Sequence, residues 1–391
     1  MHFDFDTPVE RRGTHSAKWD AMPMRYGTPD TESLPMWVAD MDFRSPPAVI
    51  EALEAAVRHG IFGYFGNDGP LRQAICDWMA RRHDWQIDPT WIVPTTGIVN
   101  ALHLCVQAFC RPGDKVVLQS PVYHPFYYAI QRNGCGLIAN ALTSEDGYFR
   151  MDLDALRAQI DERTRMLLLC SPHNPVGRVW RAEELEALGE ICLENDMLLV
   201  SDEIHHDLVF PGQRHQVTAA LSPELAARTI TLTAASKTFN LAGLKVGTAI
   251  ISDPALRREF QAQATRNGQG NPNQLGALAT TVAYNEGDAW LDALTPYLEG
   301  NYQAMRERLD NGRRGISMAR MEGTYLAWLD FTGTNLDEAE VGRRVEAGAN
   351  IAVNHGDIFG PEGARHLRFN FACPRSLLND GMDRLAGQFP G

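Results

Sequence analysis

Lys237 is the residue of this chain whose position most suggests covalent chemistry. It lies in the segment 234–240 (AASKTFN), directly after an apolar run at residues 228–233 that predicts a buried β-strand. A lysine amine at the carboxyl end of a strand can be desolvated, which lowers its pKa and suits it to forming a Schiff base with a carbonyl group. The competing interpretation is a solvated surface lysine, which is the commoner role of a lysine in a loop.

Asp202 and His205 follow another apolar run in the same way. The run covers residues 197–201, so Asp202 stands at a second strand end and His205 lies three residues beyond it. A carboxylate at this place can pair with a protonated pyridine nitrogen, which makes such a ring an electron sink. The imidazole can form a hydrogen bond with a phenolic oxygen of the same ring. Alternatively, Asp202 caps the following turn and His205 is a partner of Glu203.

Asn174 and Tyr123 also stand just beyond predicted strands. Asn174 lies in the segment 170–177 (CSPHNPVG), where two prolines and a glycine fix a rigid turn that can aim its amide. Tyr123 follows the apolar run 115–119 and can stack on a planar ring. A half-buried aromatic residue at such a place can equally serve packing alone.

A phosphate site is predicted where a helix begins at residue 98. Thr96 and Gly97 precede the helix and Ile98 opens it. The first turn of a helix offers free N–H groups and the positive end of the helix dipole, which suit a phosphate group. The alternative interpretation is simple N-capping by the Thr96 hydroxyl.

Short apolar runs alternate with longer helical patterns through the first two thirds of the chain. The strand-like runs cover residues 115–119, 166–170, 197–201, 228–233 and 246–251. Helical periodicity covers residues 47–59, 71–82, 98–109 and 182–195. Continuous apolar strands between helices predict an α/β fold with a mostly parallel sheet covered on both faces. Such sheets bind ligands at the carboxyl ends of their strands, where the candidate residues lie.

The last third of the chain predicts a smaller α+β domain. Its helical patterns cover residues 284–314 and 338–347, and its alternating, half-buried strands cover residues 323–329 and 366–371. The predicted division is an N-terminal segment at 1–45 that packs beside the small domain, a large domain at 46–284 and a small domain at 285–391.

Composition argues against several classes of protein. The chain has 391 residues, of which 44% are hydrophobic and 22% charged, as is typical of a soluble globular protein. Its formal charge of −13 argues against a general binder of nucleic acid or acidic membranes. Seven scattered cysteines without a C-x-x-C pair predict reduced thiols and no metal site. No apolar run reaches the about 20 residues of a membrane span, and residues 1–6 lack a signal-peptide pattern, so a cytoplasmic location is expected.

Taken together, the five segments resemble the fold-type I enzymes that use pyridoxal 5′-phosphate (PLP), the aspartate-aminotransferase superfamily. The resemblance covers about residues 30–390, and its most specific segments are 171–177 (SPHNPVG), 201–207 (SDEIHHD) and 236–247 (SKTFNLAGLKVG). A narrower resemblance points to the MalY/PatB group of cystathionine β-lyases, or C–S lyases. It is carried by residues 34–43 (LPMWVADMDF), 63–64 (GY), 285–291 (NEGDAWL), 368–375 (RFNFACPR), and a histidine rather than a tyrosine at 205.

The resemblance implies a role for each residue around the cofactor ring. Lys237 would carry PLP as a Schiff base and act as acid and base at the substrate Cα. Asp202 would hold the pyridine N–H, and Asn174 and His205 would contact the phenolic oxygen. Tyr123 would stack on the ring and counts, with Lys237 and Asp202, among the implied catalytic residues.

It also implies how the phosphate and the substrate are bound. The N–H groups of Gly97 and Ile98 would take the phosphate. Tyr64 would reach the phosphate of the neighbouring subunit, which makes the enzyme an obligate homodimer. Arg368 would bind the substrate α-carboxylate as a bidentate fork. Ala39 would lie beside that carboxylate through its backbone, with the Asn174 amide nearby.

Two positions depart from the superfamily pattern at the phosphate. Ala234 and Lys245 stand where a serine and an arginine are common. A hydroxyl donor is therefore missing, and a bidentate fork is replaced by the point charge of Lys245. Thr96 or Ser236 would have to supply the missing donor.

The implied reaction is β-elimination, which cleaves cystathionine or cysteine S-conjugates into a thiol, pyruvate and ammonia. General features of the sequence leave transamination open, because both reactions begin with loss of the Cα proton. A third alternative is a regulatory protein that binds a partner and merely keeps the fold. The presence of both Lys237 and Asp202 favours an enzyme.

Overall fold

The computed structural model describes residues 3–26, 33–309 and 314–390. Its strands are β1 (Leu34–Pro35), β2 (Ile92–Thr95), β3 (Lys115–Ser120), β4 (Gly136–Ala141), β5 (Thr143–Glu145), β6 (Tyr148–Arg150), β7 (Thr164–Cys170), β8 (Leu198–Asp202), β9 (Thr229–Thr233), β10 (Gly247–Ile250), β11 (Ser317–Met318), β12 (Leu326–Asp330), β13 (Ile351–Ala352), β14 (Asn354–His355) and β15 (His366–Asn370). Its α-helices are α1 (Met22–Tyr26), α2 (Pro47–His59), α3 (Gly69–His83), α4 (Ile98–Phe109), α5 (Pro125–Gln131), α6 (Leu153–Gln159), α7 (Ala182–Glu194), α8 (Pro223–Ala227), α9 (Ala235–Thr238), α10 (Pro254–Arg266), α11 (Gln274–Glu286), α12 (Asp288–Arg308), α13 (Glu338–Arg343) and α14 (Arg375–Gln388).

A seven-stranded sheet forms the centre of the larger part, in the order β2-β10-β9-β8-β7-β3-β4. Only β10 runs antiparallel to its neighbours, β2 and β9, while the other pairs are parallel. Each of the five predicted apolar runs coincides with a strand of this sheet. The two edge strands, β2 and β4, were not predicted, since Pro94 and Asn140 interrupt their apolar patterns.

Both faces of the sheet are covered, which explains the continuous apolar runs. Met166 and Leu168 of β7 pack in a cluster with residues of α4 and α10. Leu167 and Leu169, which alternate with them, pack on the other face against residues of α7. Because each strand is buried on both sides, its carboxyl end is where polar side chains can reach an open space.

A smaller four-stranded antiparallel sheet, in the order β11-β12-β15-β14, lies in the last third of the chain. The N-terminal segment joins it, because β1 pairs in parallel with β13 through Leu34 and Ile351. The predicted fold class is therefore confirmed: α/β with a mostly parallel sheet, plus a smaller α+β part. The bounds of the three predicted domains stay a prediction.

The predicted long helix at residues 284–314 is wrong in its bounds. Tyr284 belongs to α11, and α12 begins after Gly287 and ends at Arg308. Gly287 separates the two helices where a side chain would collide with the Phe239 ring. Residues 310–313 of the prediction lie outside the described residues. In the described parts of the chain, no helix is both long and apolar enough to span a membrane.

Candidate active site

A cavity of about 350 Å³ opens at the carboxyl ends of β7, β8 and β9. Most of the residues that the sequence singled out line it together: Ala39, Gly97, Ile98, Tyr123, Asn174, Asp202, His205, Ser236, Lys237 and Lys245. Thr96, the alternative phosphate donor, lines it as well. The structure thus brings together residues from widely separated parts of the sequence.

Lys237 lies on the short helix α9, which directly follows β9. Its Nζ donates a hydrogen bond to the Ala39 carbonyl oxygen at 2.6 Å, and the Tyr325 hydroxyl donates to the same oxygen at 2.9 Å. Burial lowers the pKa of Lys237 to about 8, with Arg368 and Lys245 acting in the same direction and Asp40 and Asp202 opposing them. The amine can therefore lose its proton close to neutral pH.

Asp202 is the last residue of β8 and is 5% exposed. The backbone N–H of Ile204 donates to its Oδ1 at 3.2 Å, so the carboxylate does cap the following turn. Within the described ranges this is the only hydrogen bond to its side chain. Burial raises the pKa of Asp202 to about 7, against the lowering effects of the Ile204 N–H and Lys237. The carboxylate would be stabilised by a cation brought into the cavity.

His205 is 3% exposed, and its Nδ1 is buried without a hydrogen-bond partner. The alternative pairing with Glu203 is wrong, because Glu203 pairs instead with His215, at 2.9 Å from its Nε2. The ring of His205 packs edge-on against Tyr325, with the ring centroids 5.9 Å apart. Burial, followed by the charge of Lys237, holds the pKa of His205 well below its ordinary value, so the imidazole is neutral.

Helix α4 begins beside the cavity without a side-chain cap. Its N-cap residue is Gly97, with φ +125°, and no side chain caps it, so capping by Thr96 is wrong. A side chain at Gly97 would meet no atom within 4 Å, which shows that the space before the helix is open. The free N–H groups of the first turn therefore face a space that can hold an anion.

Arg368 lies on β15 and is 3% exposed, outside the lining of the cavity but next to it. It donates to the Oδ1 atoms of Asn174, at 3.1 Å, and Asn354, at 2.7 Å, and to the Trp37 carbonyl oxygen at 3.0 Å. No carboxylate among the described residues pairs with it, and its Nε has no partner. Burial lowers the pKa of Arg368 to about 10. A buried cation held only by neutral oxygens is suited to receiving an anion.

Tyr123 and Asn174 line one wall of the cavity and are joined through their backbones. The Tyr123 N–H donates to the Asn174 carbonyl oxygen at 3.1 Å. Burial raises the pKa of Tyr123, so its hydroxyl stays protonated at neutral pH. Tyr123 is partly buried, so it packs against the protein while part of its ring remains free in the cavity.

Tyr64 is a predicted site residue that is neither in the lining of the cavity nor bonded to a residue of that lining. It lies between α2 and α3 and its side chain is fully exposed. Val57, Ile61 and Phe62 are also exposed beside it in the sequence. Within one chain, Tyr64 contributes nothing to the site.

Sequence reasoning missed the groups that hold Arg368 and Lys237. Asn354 and the Trp37 carbonyl hold the guanidinium, and Tyr325 shares the Ala39 carbonyl with Lys237. No sequence pattern marks Asn354 or the Trp37 carbonyl as a hydrogen-bond partner of an arginine. Tyr325 lies in the alternating run at residues 323–329, which predicts a strand but no role in a site.

A second polar cluster, unseen in the sequence, lies next to the site. The ligand atoms of His83, His206 and Asp207 are within 4.8 Å of one another, as metal ligands can be. Asp207 is already engaged, because His83 Nε2 is 2.8 Å from its Oδ1 and Thr238 donates to its Oδ2 at 2.6 Å. Since Thr238 follows Lys237 directly, the cluster anchors helix α9. The absence of a metal site stays a prediction.

Comparison with known proteins is consistent with this geometry. The model of the aminotransferase class I and II family matches residues 34–385. The chain is 42% identical to cystathionine β-lyase PatB of Bacillus subtilis, with 98% of each chain covered, and 34% identical to protein MalY of Escherichia coli, with 97% covered. Cystalysin from Treponema denticola, whose crystal structure contains PLP, has a TM-score of 0.96 at 36% identity over 99% of both chains. The resemblance seen in the sequence is confirmed: the chain belongs to the aminotransferase class I and II family.

Proposed function

We propose that this chain is a PLP-dependent C–S lyase that cleaves cystathionine or other cysteine S-conjugates to a thiol, pyruvate and ammonia. The observation that carries the proposal is that the Lys237 amine and the Asp202 carboxylate line one cavity, and that the Arg368 guanidinium is bonded to Asn174 in its wall. The similarity to PatB over almost the whole chain supports the lyase over the other reactions of the family.

The residues present fit the polar groups of PLP. The Asp202 carboxylate, buried without a cationic hydrogen-bond partner among the described residues, suits a protonated pyridine nitrogen. The unpartnered Nδ1 of His205 and the amide of Asn174 suit a phenolic oxygen. Lys237 stands in the same cavity as the amine that would hold the cofactor.

The phosphate would lie before helix α4. The N–H groups of Gly97 and Ile98 face the open space there. Although Ala234 offers no hydroxyl, Thr96, Ser236 and Lys245 all line the cavity and could supply the donor and the positive charge.

When bound, PLP withdraws electrons from the Cα of an attached amino acid, which makes the Cα proton removable. Lys237, with its lowered pKa, would take that proton from Cα and then give it to the sulfur that leaves Cβ, which departs as a thiol. Asp202 would keep a proton on the ring nitrogen. Arg368 and Asn174 would fix the substrate through its α-carboxylate, so that the Cα–H bond faces Lys237 and the sulfur on Cβ can leave.

We further propose that Tyr64 completes the site of a second copy of the chain. Its full exposure, beside Val57, Ile61 and Phe62, leaves an apolar surface that is costly for a monomer to expose. A homodimer would cover that surface and bring the Tyr64 hydroxyl to a neighbouring phosphate. The expected cytoplasmic location likewise stays a prediction.

The test is to incubate the purified holoenzyme with cystathionine and with S-alkyl cysteines, without any keto acid. A lyase releases pyruvate, ammonia and thiol in equal amounts over many turnovers. Product that stops after about one equivalent per site and resumes when a keto acid is added would instead show an aminotransferase.

A further inference from the structure

We propose that Arg25 selects substrates that carry a carboxylate on the leaving-thiol side of the sulfur. This inference rests on the proposed C–S lyase function and deepens it, because it names the class of thiol. It concerns helix α1, whose residues are not among those that line the cavity.

Helix α1 is placed beside Arg368 by two contacts. The Tyr26 hydroxyl donates to the Val353 carbonyl oxygen at 2.5 Å, and Val353 precedes Asn354, which holds Arg368. The guanidinium of Arg25 lies over the ring of Trp37, 4.6 Å from its centroid, and the carbonyl of Trp37 also holds Arg368. Arg25 and Arg368 therefore both contact Trp37, Arg25 through its ring and Arg368 through its carbonyl oxygen.

His124 links these two cations to the cavity. Its ring packs edge-on against Tyr123, which lines the cavity, with the ring centroids 5.0 Å apart. Burial, followed by the charges of Arg368 and Arg25, lowers the pKa of His124 to about 4, so both positive charges act on this neutral ring. Its Nδ1 is buried without a hydrogen-bond partner.

The charge of Arg25 is not neutralised within the described residues. No carboxylate there forms an ion pair with it, although the chain carries 49 acidic residues against 36 basic ones. Stacking on Trp37 restricts the guanidinium, so less side-chain entropy is lost when an anion binds. An amino acid whose α-carboxylate occupies Arg368 would therefore find a second anion site at Arg25, with the unpartnered His124 nitrogen beside it.

The required ligand is a cysteine thioether whose sulfur substituent ends in a carboxylate. Cystathionine belongs to this class and S-alkyl cysteines do not. Because Arg25 is exposed, we expect it to raise kcat/KM for a carboxylate substrate over its neutral analogue by only about 3- to 10-fold. This is the effect of one surface ion pair that the bound substrate partly shields from water.

The experiment compares two isosteric substrates that differ only in charge, S-(2-carboxyethyl)-L-cysteine and S-(2-carbamoylethyl)-L-cysteine. The wild-type holoenzyme should favour the carboxylate in kcat/KM, and 0.5 M salt should reduce the preference. Arg25→Gln should remove the preference by slowing only the carboxylate substrate, and Arg25→Lys should keep part of it. Arg12→Gln is the matched control, because Arg12 also lies over a tryptophan of the N-terminal segment, 4.7 Å from the Trp19 centroid.

A binding measurement separates this inference from the proposed function. L-2-Aminopimelate, in which CH₂ replaces the sulfur, and its ω-amide should show the same charge preference in calorimetric Kd, and Arg25→Gln should abolish it. Equal ratios in wild type and Arg25→Gln, or an equal loss for both ligands, would overturn the role of Arg25. Absence of pyruvate from every thioether, with the Kd preference intact, would instead overturn the lyase.

Discussion

Replacing Asp202 by asparagine should have opposite effects on stability with and without the cofactor. Without PLP, burial raises the pKa of this carboxyl from 3.8 to about 7. Each pKa unit corresponds to about 1.4 kcal/mol, so keeping the carboxylate ionised in the empty cavity costs about 4 kcal/mol. The asparagine side chain has nearly the same shape and bears no such cost.

The sign of the pH dependence follows from that shift. The folded chain binds the Asp202 proton more tightly than the unfolded chain, so the stability of the cofactor-free protein should fall as pH rises from about 4 to 7. At pH 8, cofactor-free Asp202→Asn should therefore be the more stable protein, by up to about 4 kcal/mol. The charge of Lys237 already lowers the Asp202 pKa, and this effect is included in the shift.

Adding PLP should reverse the order, because a protonated pyridine nitrogen supplies the cation that the carboxylate lacks. The assay is thermal unfolding of wild type and Asp202→Asn at pH 5 and pH 8, each with and without PLP. Asp88→Asn is the control, since hydrogen bonds from Thr90 lower the pKa of that exposed carboxyl and it lies away from the cavity. Identical pH profiles for the two cofactor-free proteins, or equal stabilisation of both by PLP, would refute the reasoning.

Three further predictions concern the other site residues. Arg368→Gln should lower kcat/KM by about 10²- to 10³-fold for all cysteine conjugates alike, because it removes charge-assisted bonds to the shared carboxylate, while the PLP absorbance is unchanged. Borohydride should fix the cofactor to the peptide that contains Lys237, as peptide mass spectrometry would show; an adduct on Lys245 would contradict the assignment. Inactive Tyr64→Ala and Lys237→Ala subunits, once exchanged, should regain activity in about a quarter of the sites, whereas no recovery would mean that Tyr64 acts within its own chain.

The buried strands were predictable because their environment is uniform. Five strands have a neighbouring strand on each side in the sheet: β3, β7, β8, β9 and β10. The sequence of each is therefore a nearly continuous apolar run. The edge strands β2 and β4 need less apolar surface, and their patterns are correspondingly weak. The need for a glycine at 287 could not be predicted, because the Phe239 ring that a side chain there would meet comes from another part of the chain.

The cofactor side of the site was predictable because each residue lies next to a strand end. Lys237, Asp202 and Gly97 are all positioned by the elements on which they lie. The substrate side depends on contacts between distant segments: Arg368 bonds to the Trp37 carbonyl across 331 residues. No local sequence pattern predicts that contact. The role of Arg368 in binding the substrate α-carboxylate was predicted from the family resemblance alone.

The pairing of β1 with β13 also affects how the chain acquires its function during synthesis. The sheet that carries Lys237 and Asp202 can close once β10, which pairs with β2, has left the ribosome. Leu34 can pair only after Ile351 has been synthesised, about 100 residues after the end of β10. At ordinary elongation rates this takes about 5–20 s. During that interval the nascent polypeptide can assemble its cofactor cradle while the apolar N-terminal stretch around Met36 has no partner. That stretch is therefore the place where chaperones would be needed and where premature termination would leave an aggregation-prone fragment.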